Sequence, residues 1–355
     1  MNLSEQQKQI VNTTANKVVV IASAASGKTA VLVERVRYLL DIGVEPKEIV
    51  LITFTNAAAE ELAERLNHPK GVFIGTIHSY ANYLLLSNGT ETQDLLENEQ
   101  FDRLFKRIKH HPECIKPVEH LLLDESQDSN ELHFEFLLDM INPKNYLIVG
   151  DHKQSIYRWN GAYPDYLINL SKQDDVTTYD LNQNYRNASS ILTFAKNIIM
   201  VAGYDYRDTS VPMRGVTGKV VSDLEYNPQA IAHTFAQMSS EQYGTWFILT
   251  RTNDQIDEIA NALARCKVPY DTFKRAQLDN KELNKKMKEN TVKVLTIHSA
   301  KGLEADNVLV IGAKFFNLEE RCISYVAATR ARNKLYWTKS SFKKKNYNGV
   351  ISWEK

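Results

Sequence analysis

Short, uniformly apolar runs alternate with segments of helical spacing along the chain. Val18–Ala22 predicts a strand, and Thr29–Leu40 predicts a helix with Val33, Val36 and Leu40 on one face. Ile49–Phe54 and Ala57–Leu66 repeat that pair. Further strands are predicted at Gly71–Thr76, His120–Asp124, Tyr146–Gly150, Val176–Leu181, Lys219–Asp223, Trp246–Thr250, Val292–Thr296, Val308–Gly312 and Leu335–Thr338. Several are apolar at every position, the pattern of strands buried on both faces of a parallel sheet. Strands separated by helices imply βαβ units. There are too many strands for one compact sheet, so two α/β domains are expected, divided near Leu170–Leu181. Between residues 81 and 119 the pattern predicts a small helical insert. Phe101, Leu104, Phe105 and Ile108 give helical spacing over Asn98–Lys109, and His111-Pro112 ends it.

Composition narrows the class. A chain of 355 residues with 43% hydrophobic and 24% charged residues is an ordinary globular mix, which excludes collagen-like and disordered chains. Three cysteines without a CxxC pair argue against a disulfide framework and a zinc knuckle. No apolar run approaches the ~18 residues of a membrane span, and Met1–Gln7 lacks a basic region followed by an apolar one. The expectation is a cytoplasmic, reduced compartment and no membrane partner. Acids and bases balance at 43 each, so any affinity for nucleic acid has to come from a local groove. Lys281, Lys285, Lys286 and Lys288 on one predicted helix, and Lys343-Lys344-Lys345 in the tail, read first as a solvated face and a polar tail. There is also an internal echo. Gly75-Thr76-Ile77-His78-Ser79 follows a strand in the first half, and Leu295-Thr296-Ile297-His298-Ser299 follows one in the second.

The chemistry begins at Ala22-Ser23-Ala24-Ala25-Ser26-Gly27-Lys28-Thr29. This segment follows a predicted strand and opens a predicted helix, the context a Walker A loop requires. Its backbone N–H groups would cradle phosphates. Lys28 would neutralise phosphate charge, and Thr29 would hold Mg²⁺ through its hydroxyl. Leu121-Leu122-Leu123-Asp124-Glu125 is an apolar strand ending in two acids, the Walker B arrangement. Asp124 would reach Mg²⁺, and Glu125 would polarise the attacking water. Phosphoryl transfer also needs positive charge on the γ-phosphate. Arg186 in Asn184-Tyr185-Arg186 and Arg330 in Ala328-Thr329-Arg330-Ala331 are candidates.

With these residues in place, the sequence resembles the UvrD/Rep-type superfamily 1 helicases, in a short form lacking large accessory domains. Leu3-Ser4-Glu5-Gln6-Gln7 resembles the Q motif, and Ile52–Ala59 motif Ia. Gly75–Ser79 resembles motif Ib, and Asp124-Glu125-Ser126-Gln127-Asp128 motif II. Val149–Ala162, containing Gln154, Tyr157, Trp159 and Asn160, looks like motif III. Gln183–Arg186 resembles motif IV, Thr296–Glu304 motif V, and Tyr325–Ala331 motif VI.

The resemblance implies two RecA-like P-loop domains with parallel sheets and ATP in the cleft between them. It places the first at residues 1–80 and 118–178, a reduced accessory insert at 81–117, and the second at 179–355. It implies that Gln7 reads adenine, Tyr185 stacks on it, and Glu304 approaches the ribose. Gln154 senses the γ-phosphate, and Arg186 and Arg330 act as arginine fingers from the second domain. Ala22, Ser23, Ala24, Ala25, Ser26, Gly27, Lys28 and Thr29 hold the nucleotide. Single-stranded DNA would meet Phe54, Asn56, Thr76, His78, Tyr157, Trp159, Asn160, Thr296 and His298. Stacking on such aromatics is worth ~1–3 kcal/mol per base and ignores sequence. Taken alone, Trp159 reads as a core aromatic, but flanked by Tyr157, Arg158, Asn160 and Gly161 it reads more as a surface loop residue. Departures from the family pattern are Ala25 for a loop glycine, Ala30 and Asn160 where arginine is common, and Cys322 before motif VI.

The expected function is an ATP-dependent translocase on single-stranded DNA that acts at single-strand/duplex junctions with 3′–5′ polarity. The alternative is a DNA-stimulated ATPase subunit serving a partner nuclease, as short UvrD-like chains do in antiphage defence modules.

Overall fold

The computed structural model describes residues 3–200, 208–274 and 285–339. Lys281 and Lys343-Lys344-Lys345 lie outside these residues. By packing, the chain divides into two units. One comprises Met1–Thr217 with Asn317–Thr329, the other Gly218–Phe316 with Arg330–Lys355.

The first unit is built on a six-stranded sheet of order β3-β2-β4-β5-β1-β6. Its strands are β1 (Lys17–Ala22), β2 (Ile49–Thr53), β3 (Phe73–Thr76), β4 (His120–Leu123), β5 (Asn145–Gly150) and β6 (Thr177–Leu181). Every pairing is parallel. Side chains alternate between the two faces, as a period of two demands. Val18, Val20, Leu51, Leu122 and Val149 enter one apolar cluster. Val19, Val50, Ile52, Leu121, Leu123 and Ile148 enter the other. Both faces are therefore covered, which explains why these strands read as unbroken apolar runs.

The helices α1 (Glu5–Val11), α2 (Lys28–Asp41), α3 (Asn56–Arg65) and α4 (Ile77–Ser87) occupy the first third of the chain. The insert holds α5 (Gln93–Glu97) and α6 (Arg103–His110), and α7 (Glu131–Phe134) runs on into a π-helical segment, Glu135–Met140. After α8 (Pro164–Leu170), a short ladder of β7 (Gln183–Asn184) with β8 (Val211–Pro212) brackets α9 (Ser189–Ile199).

The second unit carries its own parallel six-stranded sheet, of order β11-β12-β10-β13-β14-β9. It contains β9 (Lys219–Leu224), α10 (Pro228–Ala236), β10 (Trp246–Thr250), α11 (Asn253–Arg265), β11 (Tyr270–Phe273), β12 (Val292–Thr296) and β13 (Ala305–Ile311). Next in the chain, α12 (Leu318–Ala328) belongs to the first unit and packs against α9, and β14 (Ala331–Thr338) returns to the second sheet.

By packing, residues 182–217 group with the first unit, where Asn184 Nδ2 donates to Ala24 O at 2.9 Å. That places Arg186 in the same unit as Lys28. The helix expected over Asn98–Lys109 starts only at Arg103, because Glu99 turns left-handed (φ 52°) and separates α5 from α6.

Candidate functional site

Between β1 and α2 the chain turns through Ala25 (φ 54°) and Gly27 (φ 85°), both left-handed. Ser26 Oγ donates to Ser23 O at 2.8 Å and closes the loop on itself. Helix α2 has no side-chain cap, whereas Thr55 caps α3 and Thr76 caps α4. The N–H groups of its first turn are thus left to an external anion, and the helix dipole favours one there. Gln7 braces the loop. Its Oε1 accepts from Ser4 N at 2.9 Å in a capping box, and its Nε2 donates to Ser26 O at 3.1 Å. A Cβ at Gly27 would collide with that amide, so the glycine is required for close approach as well as for its φ.

Lys28 Nζ lies 3.6 Å from Glu125 Oε1, so the ammonium of the loop faces the second of the two acids that follow the apolar strand β4. Asp124 Oδ1 accepts from Glu125 N at 2.8 Å. Glu125 is held at φ 49°, ψ 39°, a strained conformation for a glutamate. The donor set fits a nucleotide with its divalent cation: Thr29 and Asp124 could supply oxygen ligands, and Lys28 and the uncapped α2 terminus could meet the phosphates.

Beneath this surface lies a buried network that the sequence reading did not assign. Gln127 Nε2 donates to Glu125 Oε2, and Gln127 Oε1 accepts from Asp151 N at 2.9 Å. Gln154 Nε2 donates to Asp151 Oδ2 at 2.7 Å, and Lys153 Nζ sits 2.9 Å from Asp151 Oδ1. Burial alone would raise the Asp151 carboxyl. Lys153, then Lys28 and His152, outweigh it and hold the carboxyl below its usual range. Burial likewise pulls Lys153 down, but Asp151 and Asp208 hold it above the usual ammonium value. Tyr325 on α12 donates to Asp208 Oδ2 at 2.6 Å, and burial followed by these two acids pushes its phenol well up. The signal for this network was a polar Asp-x-Lys-Gln run directly after the apolar strand β5. Gln127 and Asp151 lay within quoted motifs, but no role followed from the sequence.

Arg186 Nη1 donates to Thr329 O at 3.3 Å, and Tyr185, 42% exposed, donates its hydroxyl to Gln183. In the second unit, Arg330 is buried and donates to Leu303 O at 3.2 Å, and Glu304 pairs with Arg332 at 3.1 Å.

On the first unit, Phe54 stacks on Tyr157 with centroids 5.2 Å apart, and Trp159 meets Tyr157 edge-on at 6.3 Å. Tyr157 is buried, so its ring supports Trp159 rather than facing solvent. Trp159 is 60% exposed, which removes the core-aromatic reading. Asn56 and Asn160 are both exposed. A cavity of about 130 Å³ runs from Asp124 and Glu125 to Phe54, His78, His133 and Asn160. The echo has a structural counterpart. Thr76 Oγ1 accepts from Ser79 N at 3.2 Å, and Thr296 Oγ1 accepts from Ser299 N at 3.1 Å. Each threonine thus marks the end of a strand with the same turn. His298 follows Thr296 and is partly buried.

The family model for the UvrD/REP helicase N-terminal domain matches residues 3–111 and 101–175, and that for the UvrD-like helicase C-terminal domain matches 179–277 and 271–341. The chain belongs to the UvrD/Rep helicase family. The two family domains meet between residues 175 and 179, whereas the packing division falls after Thr217. The chain is 26% identical to a "Probable DNA helicase II homolog" of Mycoplasma capricolum, over 76% of its own length and 51% of that protein. It is 25% identical to the "ATP-dependent DNA helicase Rep" of Escherichia coli, over 76% of itself and 55% of Rep. A "Probable DNA helicase" of Mycoplasma pneumoniae aligns at 25% identity over 94% of the chain and 83% of that relative. The chain spans about half the length of several curated UvrD/Rep relatives. Among the described residues, no helix is long and apolar enough to cross a membrane.

Proposed function

We propose that the chain is an ATP-dependent translocase on single-stranded DNA that unwinds duplex with 3′–5′ polarity. The observation that carries this reading is the pairing of Lys28 with Glu125 at an uncapped helix terminus, in a chain that belongs to a helicase family. Lys28 and the first-turn N–H groups of α2 hold the β- and γ-phosphates. Thr29 and Asp124 would hold Mg²⁺, which neutralises charge on the phosphate oxygens when bound. Glu125 orients the attacking water and accepts its proton. Gln154, fixed by Asp151, faces the γ-phosphate. Arg186 and Arg330 supply positive charge to the transition state, Gln7 and Tyr185 contact the base, and Glu304 contacts the ribose.

DNA tracks over Trp159, Phe54, Asn56 and Asn160 on one unit, with Thr76 and His78 at its phosphates. Thr296 and His298 play the corresponding part on the other unit. Capping uses only a lone pair of Thr76, which supports its hydroxyl proton reaching a backbone phosphate, while Thr296 Oγ1 also lies 2.9 Å from Ser299 Oγ. The domain assignment of residues 1–80 with 118–178, and of 179–355, belongs to this reading. The test is an unwinding assay on duplexes with a 3′ or a 5′ single-stranded tail, run with ATP and Mg²⁺. Unwinding confined to the 3′-tailed substrate, and absent in Glu125→Gln, is expected. Equal activity on 5′ tails would overturn the polarity.

A further inference from the structure

His78, Asp102 and His133 come from three separate elements of the first unit. His78 stands in the first turn of α4, Asp102 immediately before α6, and His133 in α7. Asp102 occupies the cap position of α6, yet its carboxylate makes no cap bond. It turns instead to His78, whose Nε2 lies 3.2 Å from Asp102 Oδ1. The two imidazoles meet edge-to-face with centroids 5.2 Å apart. One donor atom from each of the three residues lies within 4.8 Å of the other two.

His133 is only 7% exposed, and its Nε2 has no hydrogen-bond partner among the described residues. A buried nitrogen of that kind calls for a partner. The cluster also opens on a cavity of about 400 Å³, lined further by Gln100, Arg103 and Asn160, which gives a ligand a way in.

We propose that His78, Asp102 and His133 form a binding site for a divalent transition metal of the zinc class, with a fourth position open to this cavity. Two imidazoles, one carboxylate and an open position are a recurrent zinc set. Magnesium prefers six oxygens in octahedral array, so the cation that accompanies ATP is a poor competitor. Zinc held ~2.0–2.2 Å from each donor draws the donors to roughly 3.4 Å apart. His78 Nε2 and Asp102 Oδ1, 3.2 Å apart, already stand near that spacing.

Asn130 N now donates to His133 Nδ1 at 3.3 Å, so the free ring carries its proton on Nε2. Metal binding at Nε2 transfers that proton to Nδ1, with no net loss from the ring, and gives up the Asn130 N–H contact. The bound metal pins the start of the insert helix α6 to α4 and α7. The proposal rests on geometry alone; it engages His78 through Nε2 and leaves Nδ1 for the phosphate contact proposed above.

The test is titration of the full chain with Zn²⁺ in excess Mg²⁺ and without nucleotide, followed by Co²⁺ substitution. One tightly bound Zn²⁺ per chain is expected, with a Co²⁺ spectrum of nitrogen and oxygen ligands. Asp102→Asn and His133→Gln should each weaken zinc by at least ~100-fold, since loss of outer partners alone costs 10–100-fold. The side chain of Asp102 is 60% exposed, so Asp102→Asn keeps its fold and decides the matter even if His133→Gln does not. Three results would each overturn the site: no stoichiometric zinc, unchanged affinity in Asp102→Asn, or a thiolate charge-transfer band in the cobalt form.

Discussion

Ala25 and Glu125 both adopt left-handed backbone, at φ 54° and 49°. For a residue with a side chain this costs ~1–2 kcal/mol, and both lie at the phosphate loop and its facing acid. The sequence displayed the loop and the acid, because Gly-Lys-Thr after one apolar strand and Asp-Glu after another are local signals. It did not display Gln127, which ties Glu125 to the backbone of Asp151 across a separation that only folding closes.

Lys28→Ala should abolish hydrolysis, because it removes the point charge from the phosphates. Glu125→Gln should bind ATP at close to the parent affinity and lose turnover. Equilibrium binding of a fluorescent ATP analogue beside steady-state hydrolysis separates the two. Parent-rate hydrolysis by Glu125→Gln would remove the water-orienting role from Glu125.

The strands most visible in the sequence are those buried on both faces. β2 and β10 are buried at every position. The pattern missed β7 and β8, which are two residues each, and β11, whose residues are only partly buried apart from Phe273. Periodicity needs both length and burial contrast, and these strands offer little of either. The helical reading of residues 98–102 failed for a different reason: the left-handed turn at Glu99 leaves no mark in hydrophobic spacing.

The motif III segment shows how neighbouring aromatics divide the work. Trp159 is 60% exposed and Tyr157 is buried against Phe54. Trp159→Ala should leave the melting temperature nearly unchanged and weaken single-stranded DNA binding by ~1–3 kcal/mol, roughly 5- to 150-fold. Tyr157→Ala should destabilise the first unit by ~3–5 kcal/mol through the cavity it leaves. Thermal denaturation and DNA titration of both variants check this. A large stability loss in Trp159→Ala with normal DNA binding would reverse the assignment.

For the whole molecule, two α/β domains with parallel sheets were legible from the alternation of elements, the second sheet short of β11. The placement of 182–217 and of α12 with the first unit was not, because it depends on contacts between distant segments such as Tyr325 with Asp208. Buried histidines also set a global response to pH. Burial and then Lys153 hold His152 at about 3, and burial and then Arg35 hold His120 at about 4, against 6.5 for a free imidazole. On acidification the unfolded chain therefore binds these protons first. The contribution of each histidine is intact above about pH 6.5 and is lost as pH falls toward the folded value, with a slope of up to ~1.4 kcal/mol per unit. The melting temperature should accordingly fall between about pH 6.5 and 4.5, above the main carboxylate range. A flat profile there would show that the imidazoles are not held neutral.

The central claim is that nucleotide chemistry at Lys28 and Glu125 answers to DNA. Its most direct measure is the steady-state rate of ATP hydrolysis by the full chain with Mg²⁺, with and without single-stranded DNA of mixed sequence. The account predicts slow hydrolysis alone, stimulation of at least ~10-fold at saturating DNA, and no stimulation in Glu125→Gln. Hydrolysis that is absent under both conditions, or that proceeds at one rate with and without DNA, would contradict it.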